Sequence, residues 1–330
     1  MAVPGLAAGA TQCTLGGFEQ PCRAGDGEYR VLVPDGDGPF PAMVYLYGSG
    51  GRSAEITANP IFDAAVTGRG YALVVPTATD LTYVGGRRDT GWRLEGEPGA
   101  GRDDAAFVRA VIADAARRFN LDRHRILLAG QSRGGFLVWQ IACRQPDTVS
   151  AYAAHGAGWL GPLPERCAAP VRFLQTQGAS DSLVPIAGLK RLEGNLALPP
   201  MDAALGLIAR TDGCDPAPGQ AVAFRNFQRF SWSGCTAGSR LDLLLHPGGH
   251  ALPAIWFRAA LDWFEEPLPA PVEISPVVRR IGEGLPGVGV GAGTDTHATL
   301  KAGAAPTGRR FKAPPAPGSP ALGAPALGVQ

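Results

Sequence analysis

A serine hydroxyl is a weak nucleophile until the backbone presents it and a base takes its proton. Both requirements leave marks in this sequence. Gly130-Gln131-Ser132-Arg133-Gly134 is a Gly-x-Ser-x-Gly pattern, and Gly135 follows at once. The apolar run Ile126-Leu127-Leu128-Ala129 leads into it, and the segment from Phe136 to Cys143 reads as a helix. A strand running straight into a helix needs a very tight turn, with the serine at its strained apex. Gly130 and Gly134 leave room there, because a Cβ at either place would crowd the turn. Gly135 lets the helix pack closely on the strand. Five-residue patterns also arise by chance in a Gly-rich chain, so the flanking strand and helix carry the weight.

The base must come from five histidines: 124, 155, 246, 250 and 297. His124 precedes the serine strand and sits at the wrong end of it. His297 lies in a Pro/Gly/Ala-rich stretch. His250 follows Pro247-Gly248-Gly249, a flexible loop just past the apolar run Leu241-Asp242-Leu243-Leu244-Leu245-His246. That places it at a strand's carboxyl end, as the serine is, and makes it the favoured base. His155 and His246 are the competing choices, and an ordinary hydrogen-bonded histidine is the bland reading of each. In chains with a serine elbow the acid falls between serine and histidine. Asp181, in Gly178-Ala179-Ser180-Asp181-Ser182-Leu183-Val184-Pro185, lies just beyond another apolar run. Its bland reading is a turn aspartate capping the next helix. Asp212 and Asp215 flank Cys214 far from any strand end, and Asp202 reads as a helix start.

An acyl-transfer site also needs donors for a developing oxyanion. Pro41-Ala42-Met43-Val44-Tyr45-Leu46-Tyr47 is a buried strand running into Gly48-Ser49-Gly50-Gly51. Such a loop can turn backbone N–H groups toward an anion. No Gly-Lys-Ser/Thr follows, which excludes a phosphate loop. A plain strand-ending turn is the alternative. Residues 77–102 form a long segment rich in Gly and Arg, with Tyr83, Trp92 and Arg93. It reads as one wall of a substrate cleft, or equally as a solvated loop. Tyr47, Trp92 and His155 are the cleft candidates.

The elements that must position these residues follow from periodicity. Apolar runs at 29–34, 41–47, 70–76, 125–131, 149–154, 171–176 and 241–246 read as strands. Ile56 to Gly68 reads as one helix. Asp103 opens another, with apolar residues at 107, 108, 111, 112, 115 and 119 on one face. Ala251 to Glu265 reads as a core-packing helix. Strands alternating with helices imply a mostly parallel sheet wound on both faces. Residues 1–12 are small and apolar and resemble the end of a signal peptide without its basic start. Pro, Gly and Ala make up roughly half of 267–330, a composition that reads as a disordered tail. The expected catalytic domain is therefore 13–266.

Composition excludes several classes. Net charge is +1 over 330 residues, so nothing marks a nucleic-acid partner. Only three of 30 basic residues are Lys, a bias that empties Arg abundance of meaning. No run of 18 apolar residues marks a membrane span. None of the six cysteines forms a Cys-x-x-Cys pair, so metal chemistry of that type is not expected. They fall as neighbouring couples: Cys13 with Cys22, Cys143 with Cys167, and Cys214 with Cys235. That distribution suggests disulfides and an oxidising compartment, with buried thiols as the alternative.

Taken together, these residues resemble the α/β-hydrolase esterases of the polyhydroxybutyrate depolymerase and feruloyl esterase type. The matching stretches are 29–34, 43–51, 130–135, 181–185, Asp212-Gly213-Cys214 with Cys235, and Gly248-Gly249-His250. The resemblance covers roughly 13–266. It implies the α/β-hydrolase fold and a secreted or periplasmic, monomeric esterase acting on small or polymeric esters. It further implies a Ser132–Asp181–His250 triad, backbone donors at Ser49 and Arg133, no metal or cofactor, and a Cys214–Cys235 bridge. The segment from Ala142-Cys143 to Cys167 is similar too. Three places depart from the family: Tyr47-Gly48 replaces His-Gly, Arg133 replaces Asn after the serine, and Leu252-Pro253 replaces Trp-Pro after the histidine. A serine peptidase or thioesterase is compatible with the same residues, because fold does not fix substrate. So is a catalytically silent envelope binding protein.

Overall fold

A short apolar run becomes a strand buried on both faces when helices cover the sheet from either side. The chain opens with β1 (Cys22–Ala24), β2 (Gly27–Leu32) and β3 (Phe40–Leu46), then α1 (Ser53–Ala58), α2 (Pro60–Val66) and β4 (Ala72–Pro76). A hairpin of β5 (Thr79–Thr82) and β6 (Arg88–Gly91) precedes α3 (Asp104–Arg118). Next come β7 (Leu121–Gln131), α4 (Arg133–Arg144), β8 (Ala151–His155), β9 (Arg172–Gly178) and α5 (Met201–Asp212). The chain continues through β10 (Val222–Phe224), β11 (Phe227–Ser231), β12 (Arg240–His246) and α6 (Trp256–Glu265). This computed structural model describes residues 13, 20–83, 86–97, 100–190 and 196–268. The chain divides into two units, Met1–Ala270 and Pro271–Gln330. The second unit, the expected segment 1–12 and all but the first two residues of the expected tail lie outside the described residues.

Ten strands form one sheet in the order β1-β2-β4-β3-β7-β8-β9-β12-β11-β10. The six central strands, β4 to β12 in that order, run parallel. Register brings their carboxyl ends level: Leu46 pairs with Gly130, Gln131 with His155, His155 with Thr176, and Gly178 with His246. The loops that follow β3, β7, β9 and β12 therefore all open along one edge. Tyr45 meets Phe257 of α6 at 4.8 Å between ring centroids, and Phe257 meets Phe62 of α2 at 4.6 Å. Elsewhere Trp139 of α4 packs on Phe173 of β9 at 4.5 Å. Residues 133–143 of α4 are all buried, as expected of a helix running through the core.

Local chemistry accounts for the departures from expectation. The single helix expected over 56–68 is two, because Pro60 has no N–H to continue α1 and instead starts α2. Asn59 caps that second helix by accepting the Ile61 N–H at 3.0 Å. The closing helix starts at Trp256 rather than Ala251, past Pro253. The segment 77–102 is not wholly irregular, since it contains the β5–β6 hairpin. Three disulfides, Cys13–Cys22, Cys143–Cys167 and Cys214–Cys235, join the neighbouring couples. No helix among the described residues is long and apolar enough to cross a membrane.

Asp212 closes α5 at the opposite edge of the sheet. Its Oδ1 accepts the Val171 N–H at 3.0 Å, while Oδ2 is buried without a hydrogen-bond partner. Burial pushes this carboxyl from an ordinary 3.8 up to about 7, against the smaller opposing effect of the Val171 N–H. The folded state thus holds a proton that the unfolded chain releases above about pH 4. Stability from this group is complete below that pH and falls as pH rises toward about 7. Relative to wild type, Asp212→Asn should gain unfolding free energy between about pH 4 and 7, by at most about 1.4 kcal/mol per pH unit. Urea denaturation across that range checks it; parallel profiles would contradict it.

Candidate active site

At the end of β7 the chain turns so sharply that Ser132 is held at φ 52° and ψ −123°. A residue with a side chain stays in that region only when its surroundings force it. The surroundings here are measurable. A Cβ added at Gly134 would lie 2.0 Å from the carbonyl oxygen of Leu46, and one at Gly130 would lie 2.6 Å from that of Gly134. One at Gly135 would come within 2.7 Å of Ala157 Cβ. The Ser132 N–H donates to the His155 carbonyl at 2.9 Å, which ties the turn to the end of β8.

The other two loops deliver their residues to this hydroxyl. His250 Nε2 lies 2.9 Å from Ser132 Oγ, and His250 Nδ1 lies 2.8 Å from Asp181 Oδ2. Asp181 has a fully buried side chain, and four donors fix it. Oδ1 accepts the Leu183 and Val184 N–H groups, each at 2.9 Å, and Oδ2 accepts from His250 and from Gln177 Nε2 at 3.0 Å. This bonding assigns Nδ1–H to the aspartate side of His250. Its Nε2 lone pair is left facing the serine proton. Ser180 N–H donates to the Gly248 carbonyl at 3.1 Å and Ala179 N–H to that of His246 at 2.7 Å, so the acid loop and the histidine loop are laced together.

The loop after β3 lies beside the serine, since a Cβ at Gly48 would be 3.1 Å from Ser132 Cβ. The hairpin segment clamps it. Gly50 N–H donates to the Thr90 carbonyl at 3.0 Å, Thr90 Oγ1 to the Gly51 carbonyl at 2.9 Å, and the Tyr83 hydroxyl to Ser49 Oγ at 2.8 Å. Arg133 braces the same segment from the elbow helix. Its Nε donates to the Trp92 carbonyl at 2.7 Å, and it pairs with Glu97 Oε1 at 2.5 Å. Its side chain is buried and turns into this brace.

Of the residues expected to line the cleft, the structure brings none to its wall by side chain. Tyr47 is buried, and its hydroxyl accepts the Ala78 N–H at 2.8 Å. Trp92 is buried against it and donates to the Tyr47 carbonyl at 2.7 Å. His155 is buried, with Nε2 at 3.2 Å from His246 Nε2. An aromatic or imidazole ring at a strand end can face either the opening or the core, and these three face the core. Burial, together with the neighbouring histidines, holds His155 down to about 3, and burial also lowers His246. Both therefore stay neutral at ordinary pH.

The cavity that opens on Ser132 and His250 has a volume of about 390 Å³. Leu94, Phe136, Leu160, Leu183 and Val184 give it an apolar wall; Gly48, Ser49 and Arg133 stand at its serine end, and Arg87 also lines it. Gln177 and Glu97 were not singled out by sequence, and Tyr83 was named only as part of the 77–102 segment. Gln177 follows Gln175 and Thr176 in β9, so nothing local sets it apart from its polar neighbours. Among the described residues, no cluster of three or more His, Cys, Asp or Glu side chains could hold a metal ion.

No protein-family model matches this sequence. The chain is 25% identical over 234 residues to NocK of Nocardia uniformis subsp. tsuyamanensis, whose name assigns it provisionally to the esterases. That match covers 64% of this chain and 65% of the relative. It is 24% identical over 153 residues to feruloyl esterase D of Neurospora crassa, covering 45% of this chain and 47% of that one. The chain thus spans from about half to just under two thirds of the length of these curated relatives. Among solved structures, the acetyl xylan esterase of Aspergillus awamori superposes with a TM-score of 0.51 at 15% identity, over 72% of this chain and 94% of that one. The likeness is one of fold, and the fold is that of the α/β-hydrolases, as the sequence led us to expect.

The Arg133–Glu97 pair is nearly dry, with side chains 9% and 14% exposed. Removing one partner of such a pair strands the other charge. Glu97→Ala should lower the unfolding free energy by about 3 kcal/mol, measured by chemical denaturation. A loss below about 1 kcal/mol, the level of an exposed pair, would contradict the brace.

Proposed function

We propose that the protein hydrolyses carboxylic esters through an acyl-enzyme on Ser132. The observation that carries this reading is the unbroken chain Ser132 Oγ–His250 Nε2–Asp181, with distances of 2.9 and 2.8 Å, at the tip of a strained elbow. In the first half-reaction Oγ attacks the ester carbonyl carbon while Nε2 takes its proton. The tetrahedral intermediate collapses, the C–O bond to the alcohol breaks, and the imidazolium returns the proton to the leaving alkoxide. Water repeats the sequence on the acyl-enzyme and releases the acid. Asp181 holds the imidazole in the tautomer this requires and stabilises its cation.

The oxyanion is held by backbone N–H groups of Arg133 and Ser49. Arg133 is the first residue of α4, where helix N–H groups have no partner within the helix and the dipole favours negative charge. The neutral His155–His246 pair beneath the site adds no positive charge against the imidazolium.

The substrate class is a short acyl or aryl ester, including feruloyl-type esters and hydroxyalkanoate oligomers. The apolar wall of Phe136, Leu160, Leu183 and Val184 supports an acyl or aryl group of modest size, and the names of the relatives point the same way. Three disulfides fit an oxidising compartment, so the site of action is outside the cell or in the periplasm.

Hydrolysis of a nitrophenyl ester by wild type and Ser132→Ala tests the reading. The variant should lose on the order of 10^4-fold or more in kcat. Equal rates would refute it, and faster turnover of amide or thioester substrates than of esters would move it to another hydrolase class.

A further inference from the structure

Ser49 has a side chain as well as a backbone N–H, and the surroundings of that hydroxyl are unusually specific. Its Oγ lies 2.8 Å from the Tyr83 hydroxyl. Tyr83 is buried, and its ring is flanked by the guanidinium carbons of Arg87 at 4.6 Å and Arg133 at 4.8 Å. Position 91 must be glycine for the hydroxyl to sit there, because a Cβ on Gly91 would lie 2.2 Å from the Tyr83 oxygen. The neighbouring residue thus keeps space for one phenol oxygen aimed at one serine.

Each of the two hydroxyls has a single proton. A phenol is the more acidic partner of an aliphatic alcohol and the better donor. The Tyr83 hydroxyl also lies 3.2 Å from the Thr90 carbonyl, and its contact with Ser49 is the shorter of the two. Tyr83 therefore donates to Ser49, and Ser49 keeps its own proton to give. A hydroxyl that accepts one hydrogen bond becomes a stronger donor in the next. Ser49 lines the cavity together with Ser132 and His250 and follows Gly48, whose absent Cβ faces Ser132.

We propose that the Ser49 hydroxyl is a third oxyanion donor, polarised and aimed by Tyr83. This rests on the ester-hydrolase reading above. No bond forms or breaks at Ser49. Its O–H shortens its hydrogen bond as charge grows on the former carbonyl oxygen and relaxes when the intermediate collapses. Ser49 is then a catalytic residue and Tyr83 a positioning residue.

The test uses the full chain and a nitrophenyl ester. Ser49→Ala keeps the backbone N–H and removes only the hydroxyl. It should lower kcat on the order of 10^2-fold, the scale of one lost oxyanion donor, with KM changed less than about threefold. Ser49→Thr, which keeps a hydroxyl, should recover most of that loss. Tyr83→Phe should lower kcat in the wild-type background and have little effect in the Ser49→Ala background, since it acts through that hydroxyl. A Ser49→Ala enzyme within twofold of wild type in kcat overturns the proposal. So does Ser49→Thr as slow as Ser49→Ala, or a Tyr83→Phe effect of equal size in both backgrounds. Should Ser49→Ala not fold, Tyr83→Phe at wild-type kcat would overturn it alone. Ser132→Ala is run beside these. If it is inactive while Ser49→Ala is unimpaired, only the third donor falls; if it is as active as wild type, the hydrolase reading falls with it.

Discussion

Nothing larger than a hydrogen atom fits between position 134 and the carbonyl of Leu46, where an added Cβ would sit 2.0 Å from the oxygen. That contact sets how close α4 comes to the end of β3, and most of the site follows from it. Because β3 and β7 end level, with Leu46 paired to Gly130, the helix must begin at once and directly above both strands. Ser132 is the one residue left to make the reversal, which is why it is held at positive φ. The same closeness sets the loop after β3 beside the serine. The elbow and the placement of the loop after β3 are thus two consequences of one packing constraint.

A second layer consists of buried polar groups at the carboxyl edge of the sheet. Buried polar atoms need partners, and here the partners are one another. Gln177 donates to Asp181 and to the Val184 carbonyl, Gln175 accepts from Trp139, and Thr176 accepts from Trp256. The Gly248 N–H donates to His246 Nδ1 at 3.2 Å, which assigns the His246 proton to Nε2 and makes it the donor toward His155. His155 Nδ1 then has the remaining proton, buried without a hydrogen-bond partner. This arrangement fixes the loop carrying His250 without placing a charge behind it. The braces on the opposite side, Arg133 to Glu97 and Tyr83 to Ser49, do the same for the loop after β3.

Ser132, Asp181 and His250, which the structure brings within hydrogen-bond distance, were legible as candidates because their expected chemistry constrains small, local pieces of sequence: glycines around a serine, and short polar loops after apolar runs. The central strands were legible because burial on both faces demands continuous apolar residues, as in Met43 to Leu46 and Ile126 to Ala129. The hairpin strands were not. β5 and β6 are Thr-Asp-Leu-Thr and Arg-Asp-Thr-Gly, and β10 and β11 lie at the sheet's edge, mostly exposed or half-buried, so neither pair shows a clear apolar period. Tyr47, Trp92 and His155 were expected at the cleft because they stand near it in sequence, yet core packing turned them inward. Glu97 lies 36 residues from Arg133, and no local pattern announces a pair at that separation. Sequence order gave Arg133 a backbone role only. Its side chain became interpretable once the hairpin it braces was in place.

The central claim is that one serine, strained into place by packing, is the nucleophile. Mass mapping after treatment with a serine-directed phosphonate ester tests it most directly, because the reagent needs both an activated hydroxyl and an oxyanion site. The account predicts a single stoichiometric adduct on the peptide containing Ser132, lost when the protein is unfolded before treatment. An adduct on a different residue, or none under conditions where the protein hydrolyses esters, would contradict it.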